Sequence, residues 1–182
     1  ICASNDNKVL YDFFKTGTYD RKREFILTNS PSMDILISSN LERLLYLSCG
    51  RDAAKTKELM EQLSKNGKYE ITPEMKEFMK DFSAGYADME ENAKEIRKVF
   101  DDTGYLIDTH TGVAAAVYEQ YKTKTGDTTK TIIASTASPY KFSRSVMEAV
   151  LGKKEDADEF ALIDEMERIS GVKIPQAIEE IR

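Results

Sequence analysis

Apolar residues recur along this chain at helical spacing, in runs that glycines close. Val9, Leu10, Phe13 and Phe14 share one helix face that Gly17 stops, and Asn5 or Asn7 stands where a cap belongs. Residues 18–38 show no helical period and contain Ser30-Pro31-Ser32, which predicts an irregular loop with a short extended piece at Phe25–Leu27. Ser39 and Glu42 form a capping box ahead of Leu41, Leu44, Leu45 and Leu47, with Gly50 after the last apolar position. Asp52 caps a second helix through Leu59, Met60 and Leu63 to Gly67. Thr72-Pro73 opens a third through Met75, Phe78, Met79 and Phe82.

Beyond this helical middle the pattern changes to strand followed by helix. Residues 83–87 read as a short strand before the Asp88/Glu91 capping box and a helix that Gly104 ends. The same order recurs as Tyr105–Ile107 with a helix over 111–124, and as Thr131–Ser135 with a helix over 139–150. Such alternation implies a parallel sheet. Two amphipathic helices, 159–169 and 175–181, are expected on the outside of the fold. The expectation is therefore an α/β chain, helix-rich, with a few short parallel strands.

Composition narrows the function classes. Hydrophobic residues make up 41% and charged residues 32%, the balance of an ordinary folded chain. Thirty-two acidic residues against 26 basic ones give a net charge of −6, a field that opposes nucleic acid and anionic membranes. Cys2 and Cys49 are too few for a disulfide framework, which points to a reducing cytoplasm. No apolar run approaches the roughly eighteen residues of a membrane span. The chain opens at Ile1, with a strand running straight into a helix start, and this reads as a fragment of a longer protein, a processed form being the alternative.

Ligands of open parallel sheets bind beyond the carboxyl ends of strands, where helix N-termini point their N–H groups outward. Three segments meet that description: residues 4–7, 108–112 and 135–139, all rich in short hydroxyl and amide side chains. None carries a metal-ligand spacing, so no metal is expected. His110, the only histidine, is either a general base or a helix-start residue bonded to local backbone.

The residues of these segments resemble one family in particular. Ala3-Ser4-Asn5-Asp6-Asn7 with Leu10, Asp12-Phe13, Thr16-Gly17 and Tyr19 is similar to the threonine synthase pattern A-S-N-x-N-x-x-L-x-D-F-x-x-T-G-x-Y. Ser30-Pro31-Ser32-Met33-Asp34-Ile35 followed by Ser39-Asn40-Leu41-Glu42-Arg43 resembles the S-P-S-M-D-I loop of the same family and the helix after it. Residues 83–87, 108–114 and 135–142 add three further blocks, the last resembling S-T-A-H/S-P-x-K-F.

The resemblance implies a tryptophan synthase β-type fold, with residues 1–151 as the C-terminal part of the catalytic fold. A helical insertion at about 38–82 would lie within it, and 152–182 would be a helical extension. It implies an enzyme that uses pyridoxal 5'-phosphate to convert O-phospho-L-homoserine and water into L-threonine and phosphate, a carbon-oxygen lyase. Thr136 matches the hydroxyl the family places near the pyridine nitrogen, and Asn5 is a second cofactor candidate. Asn7, Ser30, Ser32, Asp34 and Lys141 are candidates for the substrate. Four of them have a plainer reading: Asn5 or Asn7 caps the first helix, Thr136 caps a later one, and Lys141 is a surface lysine. The family's Schiff-base lysine and glycine-rich phosphate loop match nothing in these 182 residues, so the chain alone is expected to be inactive and to bind the cofactor weakly. Its implied partner is the N-terminal part of the same protein. Alternatives are a cysteine synthase or threonine dehydratase type of the same fold, against which the S-P-S-M-D-I block argues, and a stand-alone helical regulatory or interaction module.

Overall fold

The computed structural model describes all 182 residues and divides them into two units, Ile1–Tyr86 and Ala87–Arg182. Helix accounts for 55% of the chain against four strands of three residues each, so the helix-rich α/β expectation holds.

The first unit begins with strand β1 (Cys2–Ser4), helix α1 (Val9–Thr16) and strand β2 (Thr18–Asp20). A loop containing a single 3-10 turn at Pro31–Met33 leads to α2 (Leu41–Ser48) and α3 (Ala53–Asn66). Then come β3 (Lys68–Glu70), α4 (Pro73–Phe78) and β4 (Ala84–Tyr86). β1 pairs with β4 in parallel, Ala3 opposite Gly85, whereas β2 and β3 pair antiparallel, Tyr19 opposite Tyr69. That antiparallel pair was not foreseen, because strands of three residues leave almost no period to read. The two tyrosine rings stack at 5.3 Å, and Phe13 completes the aromatic core with centroids 5.9 and 6.0 Å away. Val9, Leu45, Leu59, Leu63 and Met75 fill in around them.

The second unit is entirely helical: α5 (Met89–Thr103), α6 (Thr109–Thr125), a 3-10 turn at Pro139–Phe142, α7 (Ser143–Leu151), α8 (Glu159–Ser170) and α9 (Gln176–Glu179). Its core joins Ile96, Val146, Met147 and Ile107 with Leu162, Ile163 and Met166 from α8.

Most helix boundaries follow their caps. Asp52 accepts from the N–H groups of Ala54 and Lys55, Thr72 from Met75, and Asp88 and Glu91 form a reciprocal capping box. Two expected caps are absent. The Ser39/Glu42 box does not form, because α2 starts from Asn40 in helical backbone geometry with no side-chain cap. Asn5 and Asn7 do not cap α1 either, since Lys8 occupies the N-cap position.

Three expected extended segments, Phe25–Leu27, Tyr105–Ile107 and Thr131–Ser135, form no strand. A strand exists only where a neighbour supplies ladder partners, and none of these finds one within the chain. Leu106 and Ile107 nonetheless bury their side chains, while Ile132 is 93% exposed.

The α5–α6 crossing depends on a missing side chain. A Cβ at Gly112 would lie 2.2 Å from Asn92 Oδ1 and 2.7 Å from Ile96 Cγ1, both residues wholly buried. Gly112→Ala is therefore expected to lose about 1–2 kcal/mol, overpacking outweighing the roughly 1 kcal/mol of helix propensity that alanine gains. Urea denaturation measures it; equal or greater stability would show that the helices separate freely.

Candidate functional site

In the first unit, the turn after β1 and the loop over 24–38 are joined by one polar network. The Asn7 backbone N–H donates to Asn5 Oδ1 at 3.0 Å, which orients the Asn5 amide nitrogen toward the loop. That nitrogen has Asp34 Oδ1 at 2.7 Å, Thr28 Oγ1 at 2.9 Å and Ser30 Oγ at 3.0 Å, more acceptors than its two hydrogens can serve. Asn7 pairs with the Ile26 backbone like a rung of sheet, donating to its carbonyl at 2.7 Å and accepting from its N–H at 3.0 Å. Asp34 gathers four donors: the Asn5 and Asn7 amides, the Thr28 hydroxyl at 2.8 Å and the Thr28 N–H at 2.9 Å. Asn5, Asn7 and Ser30 are all buried. The far end of the loop is held by Tyr19, whose hydroxyl donates to Leu36 O and accepts from the Ser38 N–H.

Four of the five expected residues of this unit thus meet in space, bonded chiefly to one another. Ser32 stays exposed and lines, with Ser4, Asn7, Leu10, Met33 and Ile35, a cavity of about 120 Å³. This is well below the roughly 300–1,000 Å³ of a drug-sized ligand pocket. A larger concavity of about 760 Å³ between α2 and α3 contains none of the expected residues. Thr28 went unnoticed in the sequence, although it is central to the network; a hydroxyl two residues before the Ser30-Pro31-Ser32 block was the available signal.

In the second unit the start of α6 surrounds a buried carboxylate. Asp108 Oδ1 accepts from the His110 backbone N–H at 2.8 Å and lies 2.9 Å from His110 Nδ1; Oδ2 accepts from the Thr111 hydroxyl. Burial pushes the Asp108 carboxyl up, but the bonds from His110 and Thr111 outweigh it and hold the group below its ordinary value. Because an ionised carboxylate only accepts, His110 carries its hydrogen on Nδ1 when neutral and Nε2 keeps the lone pair. The His110 ring packs edge-on against Phe142 at 4.7 Å. Beside it Thr109 is wholly buried, with its hydroxyl unpartnered.

The Thr111 hydroxyl also lies 2.8 Å from Ser135 Oγ. Thr136, the next residue, is exposed and makes no hydrogen bond within the chain. Ser138, two residues on, caps the 3-10 turn in its place, so the capping reading of Thr136 does not hold. Lys141 is exposed, its Nζ 5.7 Å from the Phe142 ring centroid. No His, Cys, Asp and Glu cluster suits a metal ion, and no helix is long and apolar enough to cross a membrane.

Fold and polar turns together define the class: a helix-rich α/β part of an enzyme fold also seen in solved threonine synthases. The chain superposes on the crystal structure of threonine synthase from yeast with a TM-score of 0.76 at 32% identity, covering 94% of this chain and 37% of that one. Against the PLP-bound threonine synthase from Brucella melitensis the TM-score is 0.74 at 31% identity, with 93% and 40% covered. Residues 111–181 match the family described as threonine synthase, C-terminal. Curated relatives include human threonine synthase-like 1, 41% identical over 152 residues, and threonine synthase of Saccharomyces cerevisiae, 34% identical over 188. The chain spans 20% of the first and 36% of the second. It belongs to the threonine synthase family and corresponds to its C-terminal part.

Asp34→Ala removes the acceptor shared by Asn5, Asn7 and Thr28. It is expected to cost about 2–3 kcal/mol, as for hydrogen bonds to a charged group, and to speed amide exchange at Ile26 and Thr28. Unchanged exchange there would mean that Tyr19 alone orders the loop.

For Asp108 the sign follows from its lowered pKa. A carboxyl whose folded value lies below its ordinary 3.8 contributes fully above about pH 5, and the contribution disappears as pH falls through the folded value. The stability difference between wild type and Asp108→Asn, about 1–2 kcal/mol, should therefore be constant from pH 7 to 5 and shrink below pH 3.8. A difference that changes between pH 7 and 5 would assign the titration to another group.

Proposed function

We propose that this chain forms the C-terminal part of a cytoplasmic threonine synthase, which converts O-phospho-L-homoserine and water to L-threonine and phosphate with pyridoxal 5'-phosphate. The observation that carries the reading is the likeness to solved threonine synthases over more than nine-tenths of the chain.

The donor set suits one end of the cofactor. The exposed, unengaged hydroxyl of Thr136 fits a ring nitrogen, and being neutral it leaves that nitrogen less protonated than a carboxylate would. Asn5 is the second residue assigned to the cofactor, although its amide hydrogens are already taken up by Asp34, Thr28 and Ser30. The phosphate end finds no cradle here. All seven glycines with positive φ follow helix C-termini, and none belongs to a glycine-rich loop at a helix start.

When bound, the cofactor supplies an electron sink for charge developing on the substrate carbons. What this chain adds is placement. In the first unit Asn7, Ser30 and Asp34 form a fixed polar group that, with exposed Ser32, is the candidate for the substrate; in the second, Lys141 is the candidate positive charge for the substrate phosphate. His110 is the candidate group for proton transfer. The lysine that carries the cofactor and the phosphate loop belong to the N-terminal part of the protein, the partner this chain requires. Residues 1–151 belong to the catalytic fold and 152–182 form its helical extension.

Two experiments test the proposal. The 182-residue chain mixed with pyridoxal phosphate and O-phospho-L-homoserine should release no phosphate and show no saturable visible band. Saturable attachment to one lysine with phosphate release at an enzymatic rate would overturn it. In a chimera carrying this chain in place of the matching segment of yeast threonine synthase, Thr136→Val should keep the cofactor and lower turnover several-fold, about 1 kcal/mol or somewhat more. Unchanged turnover and cofactor spectrum would remove Thr136 from the ring.

A further inference from the structure

Residues 128–137 connect α6 to the 3-10 turn without helix or strand. Their side-chain hydrogen bonds are local, Thr129 N–H to Asp127 and Thr131 Oγ1 to Thr129 O, except that Ser135 reaches Thr111 across 24 residues. Ile133 adds partial packing against the apolar core of the unit. A single hydroxyl pair thus anchors the C-terminal end of this segment to the start of α6.

The direction of that anchor can be deduced. Asp108 is buried and ionised at neutral pH, so it can only accept. Thr111 has one hydroxyl hydrogen and commits it to Asp108 Oδ2, which leaves its oxygen only lone pairs for Ser135. Ser135 must therefore donate. Asp108 polarises Thr111, Thr111 accepts from Ser135, and the Ser135 hydrogen is drawn inward. The Cα of Thr136 is one peptide unit, about 3.8 Å, from the Cα of Ser135.

Building on the reading of Thr136 above, we infer that Thr111 is a positioning residue. Held by Asp108, it fixes Ser135 and thereby sets where the Thr136 hydroxyl stands before the cofactor ring nitrogen. It touches neither cofactor nor substrate and acts through the segment it anchors. Thr111→Val keeps the shape of the side chain and the backbone bond to Asp108, and removes only the hydroxyl.

Backbone order parameters across residues 131–137 of the 182-residue chain read the anchor directly, because none of the N–H groups of this segment is hydrogen-bonded. Thr111→Val and Ser135→Ala should each lower them from rigid values near 0.85 to about 0.6 or less, with no further fall in the double variant. Thr111→Ser should restore the wild-type values. Ser135→Ala, at an exposed position, keeps the test valid if Thr111→Val does not fold. Order parameters unchanged in both single variants would overturn the inference. The yeast chimera then reads the consequence through the absorption maximum of the bound cofactor and through kcat against KM. Thr111→Val should shift the maximum in the same direction as Thr136→Val and lower kcat with KM held, and Thr111→Ser should reverse both. A shift with Thr136→Val but none with Thr111→Val would overturn the positioning role alone. If neither variant shifted it, the reading of Thr136 would fall as well, and the positioning role with it.

Discussion

A backbone N–H that leaves a helix or strand must find an acceptor, and in this chain short side chains supply many of them. Four strands of three residues offer little ladder, so the polar demand of the long connections falls on Asp, Asn, Ser and Thr. Asp52, Asp88, Asp108 and Asp158 each accept from a helix start. Asp34 does for a loop what these do for helices. The architecture is accordingly one of helices closed by glycine and opened by carboxylate, with the loops fastened to the helix starts.

That constraint also explains which features could be read from sequence. A cap and its acceptor lie two or three residues apart, so Asp52, Thr72 and the Asp88/Glu91 box were visible in the letters, as were the glycines that end helices. Asn5 and Asp34 are 29 residues apart, and nothing in either neighbourhood states that an amide and a carboxylate will meet. The family blocks showed that these positions matter and left open that they bind each other. The failures have the same origin. Ser39 and Glu42 have the spacing of a capping box, but the backbone before α2 is already helical, so no free N–H faces Ser39. Thr131–Ser135 has the composition of a strand and no strand beside it.

The same bookkeeping of donors and acceptors separates the expected site residues into two kinds. Asn5, Asn7, Ser30 and Asp34 are committed to one another, which fixes their geometry before any ligand arrives and removes the entropic cost of ordering a loop on binding. Thr136 and Lys141 stand exposed, where a ligand can reach them.

On the proposed reading, in which Thr136 faces the cofactor ring nitrogen, the identity of residue 136 bears most on the chemistry. A carboxylate there would hold a proton on the ring nitrogen and deepen the electron sink, whereas a hydroxyl would share a hydrogen without transferring charge. The shallower sink would suit a reaction that must direct charge along the substrate carbons in turn. A neutral contact of this kind depends strongly on distance and angle, since it lacks the long range of a charge. Its position would therefore have to be set from elsewhere, and one buried charge, Asp108 at the start of α6, is linked to residue 135 through one threonine hydroxyl.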